Sequence, residues 1–380
     1  MERAKELHLI ESAMASAKNG PPDLGPEMRM PVTAYTDAAR FDAELQHFHR
    51  SAFNLVAHAS DVPNPGDYLT LELAGVPVVV VRGVDDGKVR AFINVCKHRG
   101  ARVTLEEKGH CKRLVCPYHA WTYHTDGRLS HVRHAQGFPS LASEEISLTA
   151  LACVEHASFI FVCPDPGARP ILDTSLMALV DELEALNPGM VVFARQTQIR
   201  QANWKLLVEG GIESYHFKIA HSSTIAKFFA DTASTYEKVG KHMRSVLPRA
   251  SIASLDADEP DQRRLLPHAN ILYTLNPNAS VLAQDGHYGL ILMSPLAIDR
   301  TRIDLITMGR PVPEGIEGAK VRDFLQTNHR FTVKTLEEDF VMAEQIQAGL
   351  ASGANEYLRF ATFEAALRDW HGILSEALGS

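Results

Sequence analysis

Apolar side chains at Phe41, Leu45, Phe48 and Phe53 recur with helical spacing, which predicts a helix over 39–54. The texture then changes. β-rich runs follow at 68–73 (YLTLEL), 76–83 (VPVVVVRG), 89–96 (VRAFINVC), 112–116 (KRLVC) and 157–163 (ASFIFVC). Turn formers such as NPGD and DDGK separate them, so this stretch reads as a small all-β domain. PDPGARP (164–170) reads as a linker. Beyond it the pattern predicts a helix at 174–187 and strands at 191–199, 270–275, 279–284, 287–294 and 301–309. A long helix is predicted over 317–350, with Val321, Phe324, Leu325, Phe331, Leu336, Phe340 and Ile346 on its apolar positions, and a further helix at 356–377. Residues 222–265 are polar, mixed and weakly periodic, and are expected to be a mobile or substrate-covering region. Strands followed by long terminal helices predict an α+β domain on an antiparallel sheet. The expected divisions are 1–48, a helical segment packed on the C-terminal domain; 49–165; and 166–380.

Composition narrows the class. Of 380 residues, 45% are hydrophobic and 22% charged, an ordinary globular balance. Lys plus Arg number 38 against 46 for Asp plus Glu, a net charge of −8, which argues against binding a nucleic-acid backbone. The first twenty residues lack an apolar h-region, so no secretory signal is expected. The longest apolar runs, at 75–81 and 289–293, are too short to span a bilayer, so no membrane role is expected. Five cysteines, odd in number and sparse, suit the reducing cytoplasm better than a disulfide framework. Eighteen histidines make metal chemistry worth examining.

Two Cys–His loops carry the strongest signal. CKHRG supplies Cys96 and His98, and CPYHAW supplies Cys116 and His119. A zinc finger pairs Cys with Cys and His with His. Here each loop offers one thiolate and one imidazole, which suits a two-iron cluster with Cys on one iron and His on the other, a Rieske [2Fe–2S] centre. Gly100 permits a tight turn, Pro117 stiffens the second loop, and Tyr118 and Trp121 are candidates to shield a cluster from water. Cys111, His110, His124, His131 and His134 lie nearby but exceed the four ligands needed, and Cys153 and Cys163 read as strand core.

A second constellation lies at 203–221, NWKLLVEGGIESYHFKIAH. His216 and His221 are five apart, a rotation of about 500° in an ideal helix, so both reach one metal only if the helix ends or distorts between them. A facial site of two His and one carboxylate holds Fe(II) with open positions. Asp339 stands among Leu336, Phe340 and Ile346, where an unbound carboxylate is costly to bury. Glu337, Glu338 and Glu344 read as solvated charges, although spacing alone does not choose Asp339 over Glu338.

Together these motifs resemble the terminal oxygenase (alpha) subunit of Rieske non-haem iron oxygenases. The resemblance runs from GDYLTLEL through both constellations to EEDFVMAEQIQAGL and EAALRDWH. It implies a small all-β Rieske domain beside a helix-grip (START-like) catalytic domain with an antiparallel sheet. It further implies that His216, His221 and Asp339 bind a mononuclear Fe(II). Glu213 takes the place where most members have Asp, as a bridge between His216 and His119 of a neighbouring subunit, and members form rings, commonly trimers. Glu at 213 looks like the quaternary-ammonium branch, and Gly210 departs from the Asn of many ring-hydroxylating members.

The chain has no dinucleotide fingerprint and too few Cys for a plant-type ferredoxin domain, so NAD(P)H electrons must arrive through a separate reductase, with or without a ferredoxin. The expected activity is O2-dependent hydroxylation or oxidative demethylation of an aromatic or similar small organic substrate. A quaternary-ammonium monooxygenase is the alternative, for which Phe228, Phe229 and Tyr236 are candidate cage residues. A Rieske electron carrier is the remote third.

Overall fold

The computed structural model describes residues 1–21, 24–142 and 146–379. Its chain forms two units, Met1–Leu45 with Asp173–Ser380, and Gln46–Leu172. The first unit begins with α1 (Arg3–Asn19), β1 (Met28–Pro31), α2 (Thr33–Thr36) and α3 (Ala38–Glu44). The Asp37 side chain caps α3 by accepting from Arg40 N at 2.7 Å. A wider helical turn continues it to Arg50.

The second unit is all β. Its strands are β2 (Asn54–His58), β3 (Asp67–Leu73), β4 (Val76–Arg82), β5 (Val89–Ile93), β6 (Lys108–His110), β7 (Leu114–Val115), β8 (Thr122–Tyr123), β9 (Leu129–His131), β10 (Ala150–His156) and β11 (Phe159–Cys163). They form an antiparallel sheet in the order β2-β11-β10-β5-β4-β3-β6 and a small sheet β7-β8-β9. The valine run of β4 is buried throughout because the strand is covered on both faces. Val79 and Val81 pack with Cys96, Cys116 and Trp121, while Val78 and Val80 face a second cluster with Ile160 and Val162. The strand expected at 89–96 stops at Ile93, and only Leu114–Val115 of 112–116 pairs, since both segments turn into the Cys–His loops.

The remainder of the first unit runs α4 (Thr174–Leu186), β12 (Val191–Arg200), α5 (Trp204–Ile212), α6 (Phe217–Ala220), β13 (Thr235–Val239), β14 (His242–Pro248), β15 (Ala269–Leu275), β16 (Ala279–Gln284), β17 (His287–Ala297), β18 (Arg300–Gly309), α7 (Gly315–Leu350), β19 (Tyr357–Phe360) and α8 (Ala365–Leu378). Its antiparallel sheet has the order β12-β18-β17-β16-β15-β14-β13. α7 lies against this sheet: Phe340 and Leu336 pack with Ile303, Leu305 and Ile291, and Gly309 is so close to α7 that a Cβ there would collide with Leu325. The architecture is α+β, with one long helix gripping an antiparallel sheet.

Two expectations are corrected. The weakly periodic segment 222–265 contains β13 and β14, and every residue of β14 is buried. The alternation was hidden because its polar residues find partners inside: Arg244 with Glu182 at 2.5 Å, and His242 with Asp173 at 3.2 Å. The helix expected at 356–377 is instead β19 followed by α8, since Tyr357–Phe360 pairs antiparallel with Met28–Pro31 from the other end of the chain. Among the described residues no helix is long and apolar enough to cross a membrane.

Candidate functional site

In the all-β unit the two Cys–His loops are built alike. Gly100 N donates to Cys96 O and Ala120 N donates to Cys116 O, both at 3.0 Å. Cys96 N donates to Ala101 O at 2.8 Å and Cys116 N to Trp121 O at 2.9 Å. Each loop closes through a left-handed residue, Gly100 at φ 77° and Ala120 at φ 58°. This repeated turn puts a thiol and, two or three residues later, an imidazole on facing loops.

Cys96 and Cys116 are buried and near enough for their thiols to hydrogen-bond, and burial pushes the Cys116 thiol up. The His98 and His119 rings lie 4.6 Å apart between centroids. Trp121 stacks on His98 at 5.0 Å. Tyr123 Oη lies 3.4 Å from Cys96 Sγ and accepts from Lys97 N at 3.0 Å. His98 Nδ1 is buried without a hydrogen-bond partner. An orphaned imidazole nitrogen beside two enclosed thiols fits a metal cluster, which would satisfy the nitrogen and stabilise the thiolates. Trp121 is buried as a shield requires, but Tyr118 is exposed and lies against the His119 ring at 3.7 Å.

In the larger unit α5 ends at Ile212, Glu213 is extended, and the chain re-enters the four-residue α6. His216 and His221 flank α6, which starts after the first and ends at Ala220, so the two do not sit on one continuous helix. His216 Nε2 and His221 Nε2 are 3.2 Å apart, and Asp339 Oδ1 is 3.2 Å from the first and 2.9 Å from the second. Among the described residues this is the group whose ligand atoms all lie within 4.8 Å of one another. α7 holds Asp339 there by docking on α5. Glu344 accepts from Gln201 N at 3.0 Å, Gln347 accepts from Asn203 N at 2.9 Å, and the Asn203 side chain caps α5.

The outer nitrogen of each imidazole meets a carboxylate. Glu213 accepts from His216 Nδ1 and from Tyr215 N. Glu338 accepts from His221 Nδ1 at 2.7 Å and from Thr224 Oγ1 and Ser223 Oγ. Such partners set the tautomer and aim Nε2 inward. Burial opposes a charge on His216, but Asp339 and Glu213 outweigh it and raise its pKa to about 10. Burial likewise opposes ionisation of Asp339, yet the two histidines hold it below the usual carboxylate range. The donors suit a divalent cation, whose binding displaces the imidazole proton. Glu338, expected as a solvated charge, is thus a positioning residue. Glu337 does behave as a surface charge, paired with Arg200.

A cavity of about 550 Å3 opens beside the triad, reaching His221 and Asp339. Phe217, Leu272, Leu282, Ile291 and Leu336 give it apolar walls. Phe228 and Phe229 line it, whereas Tyr236 is not among its walls and donates to Asp369 at 2.8 Å.

Residues 188–380 match the family described as the ring hydroxylating alpha subunit (catalytic domain), and residues 52–146 match the Rieske [2Fe–2S] domain. The chain belongs to the ring-hydroxylating alpha-subunit family. The cofactors of this family pair a Rieske [2Fe–2S] cluster with a mononuclear iron. A carnitine monooxygenase oxygenase subunit of Escherichia coli (strain K12) is 36% identical over 195 residues, 50% of this chain and 52% of that protein. A glycine betaine monooxygenase oxygenase subunit of Chromohalobacter salexigens is 33% identical over 222 residues, 56% of this chain and 48% of that protein. The large subunit of a 2-halobenzoate 1,2-dioxygenase from Burkholderia cepacia is 31% identical over 202 residues, 50% and 43% of the two chains. The matched region thus spans about half the length of these curated relatives. In fold, a quaternary ammonium Rieske monooxygenase superposes with a TM-score of 0.79 at 23% identity, covering 95% of this chain and 97% of that one. A naphthalene 1,2-dioxygenase from Rhodococcus sp. gives 0.75 at 18% identity, covering 98% of each.

Proposed function

We propose that this member of the ring-hydroxylating alpha-subunit family is a terminal oxygenase component. It uses O2 and electrons from a separate NAD(P)H reductase, directly or through a ferredoxin, to hydroxylate or oxidatively demethylate a small organic substrate. The observation that carries this reading is the His216, His221 and Asp339 donor set opening onto an apolar cavity of about 550 Å3. Two imidazoles and one carboxylate suit Fe(II) and leave coordination positions free for O2. Cys96 and Cys116 hold one iron of the cluster, and His98 and His119 the other. When bound, the cluster supplies single electrons and the mononuclear iron supplies O2 activation.

The chain's own residues do the positioning. Glu213 and Glu338 hold the Nδ1 protons of His216 and His221, so both Nε2 atoms face each other and Asp339. The apolar walls keep water from the reacting face of the substrate. Glu213 also serves as the bridge to His119 of the partner subunit in a homotrimer. One solved relative of this fold is described in terms of inter-subunit electron transfer. Five cysteines without disulfides fit a cytoplasmic location.

A second reading, oxidation of a quaternary ammonium compound, is favoured over an aromatic substrate by the carnitine and glycine betaine relatives. Phe217 and Phe229, 5.4 Å apart and edge to face on the cavity wall, offer ring surface to such a cation. An electron carrier without oxygenase activity has no use for the triad.

NADH-driven oxygen uptake by the iron-loaded protein with a surrogate reductase tests both readings. The panel is split between aromatic acids or ethers and quaternary amines, with formaldehyde assayed alongside. Product-coupled uptake that disappears in Asp339→Ala is expected. Uptake that survives in that variant would remove the triad from the reaction.

A further inference from the structure

The cavity beside the triad has one half-buried cation that no acid meets at ion-pair distance, while its other cation, Lys227, is exposed. Arg249 follows β14, lines the cavity and is half-buried. Its side chain has one hydrogen-bond partner, the neutral amide of Asn270, to which Nη2 donates at 2.9 Å. Among the described residues no carboxylate forms an ion pair with it: Asp285 attracts it only from beyond contact, burial outweighs that attraction and lowers its pKa, and its Nε is buried without a partner. Other buried cations of the same unit are paired. Lys205 meets Glu44 at 2.5 Å, and Arg244 meets Glu182 at 2.5 Å. An unpaired guanidinium on an apolar cavity wall is costly, and the cost is offset when an anion binds.

The strand register shows where this cation lies relative to the triad. Leu247 stands opposite Asn270, Ile271 next to it opposite Ala283, and Gln284 opposite His287. Arg249 is two residues beyond Leu247 on the same cavity-facing side. Asn270 Nδ2 lies 3.4 Å from Gln284 Oε1, so Arg249, Asn270 and Gln284 make a polar ladder at one end of the cavity. The next row toward the triad is apolar, with Leu272 opposite Leu282 and Leu282 opposite Gly289. The row after that sets Ser280 opposite Ile291, which packs with Phe340 beside Asp339. Two rows, four residues of strand, span about 13 Å. α7 gives the same direction, since Asn328 and Asp339 both line the cavity and lie about 16 Å apart along a helix. A guanidinium reaching into the cavity leaves a separation on the order of 10 Å between the cation and the triad.

We propose that Arg249, held by Asn270 and backed by Gln284, anchors a substrate carboxylate, and that the substrate is a small acid with an apolar body reaching the triad. The guanidinium fork matches one carboxylate. One half-buried cation in a mainly apolar surround, the other being the exposed Lys227, suits a single negative charge. The anchor sets which carbon is presented, because the roughly 10 Å between the cation and the triad must hold the carboxylate and the substrate body together. Only the identity of the reacting end rests on the oxygenase reading above.

Binding separates the two. Calorimetry on the iron-loaded protein compares two acids, 4-phenylbutanoate and 4-(trimethylammonio)butanoate, with their amides. Wild type is expected to prefer at least one acid over its amide by roughly 10- to 100-fold, the worth of a charge-assisted hydrogen bond. Arg249→Gln should abolish that preference, and an unchanged circular-dichroism spectrum and iron content report that the variant is folded. Arg249→Lys should keep part of it. Equal binding of acids and amides by wild type, no binding of either acid, or a preference that survives Arg249→Gln overturns the proposal. Oxygen uptake is read on the same samples. An acid preference without turnover supports the anchor and removes the oxygenase reading, whereas turnover of amides as efficient as that of acids overturns the anchor.

Discussion

Glu338 accepts a hydrogen bond from His221 Nδ1 at 2.7 Å, while the adjacent Asp339 meets Nε2 of the same ring at 2.9 Å. Consecutive helical residues point about 100° apart, so only a ring lying between them can touch both. The pair clamps His221, and its inner nitrogen has one direction to face.

Glu338→Gln removes the negative charge from this clamp but keeps its shape. It should lower affinity for the mononuclear iron by about 10- to 100-fold. Iron per chain after dialysis against a chelator checks this, with the cluster absorbance as an unchanged reference. Equal iron retention in the variant and the wild type would show that an uncharged acceptor at this position suffices to hold His221 Nδ1.

Tyr123→Phe should lower the reduction potential of the cluster. The hydroxyl lies 3.4 Å from Cys96 Sγ, and a hydrogen bond to a cluster thiolate stabilises the more negative, reduced state. A spectroscopic redox titration reads the shift, and an upward shift would contradict the assignment of that hydroxyl as donor.

Arg244 is buried between Glu182 and Glu237, each at 2.5 Å. Arg244→Met leaves Glu182 with only the neutral Tyr273 hydroxyl and Glu237 with Lys5, and should cost about 3 kcal/mol of stability, read by urea unfolding. The pH dependence has a definite sign. Burial works against the Glu237 carboxylate, but Arg244 and Lys5 hold its pKa below the ordinary value. Its contribution is therefore present above the unfolded-state carboxyl pKa and is lost as pH falls through the lower folded-state value. Glu237→Gln should make the acid side of the stability profile shallower.

Gly309→Ala places a methyl group against Leu325 where β18 passes beneath α7. Overpacking of this kind costs about 1–3 kcal/mol. Because α7 carries Asp339, thermal stability and iron retention should fall together. Loss of stability with full iron retention would show that α7 tilts without moving its ligand.

The all-β unit was readable because its signals are local. The valine run, the turn sequences and the C-x-H and C-x-x-H spacings each lie within a few residues, and both loops use the same five-residue turn. The segment 222–265 was not readable, since β14 carries His242, Arg244 and Ser245 at buried positions and shows no alternation. Its polar groups are tolerated only because Asp173, Glu182 and Glu237 arrive from other elements. β19 was missed for a related reason: its partner strand is more than three hundred residues earlier in the chain.

By itself the sequence determined the α+β class, most of the sheet strands and the length of α7, because period and turn chemistry are written within short windows. It also set the condition under which His216 and His221 could meet one metal, that the helix end or distort between them, and α6 does end at Ala220. Tertiary structure decided that Glu338 grips His221 from outside while Asp339, offered in sequence only by the family resemblance, faces the histidine pair, and that Arg249 is a half-buried cavity cation without an ion pair. Spacing along a chain describes faces of one element. Which atom meets which depends on packing between elements, here α7 against the α5–α6 break and β14 beside β15.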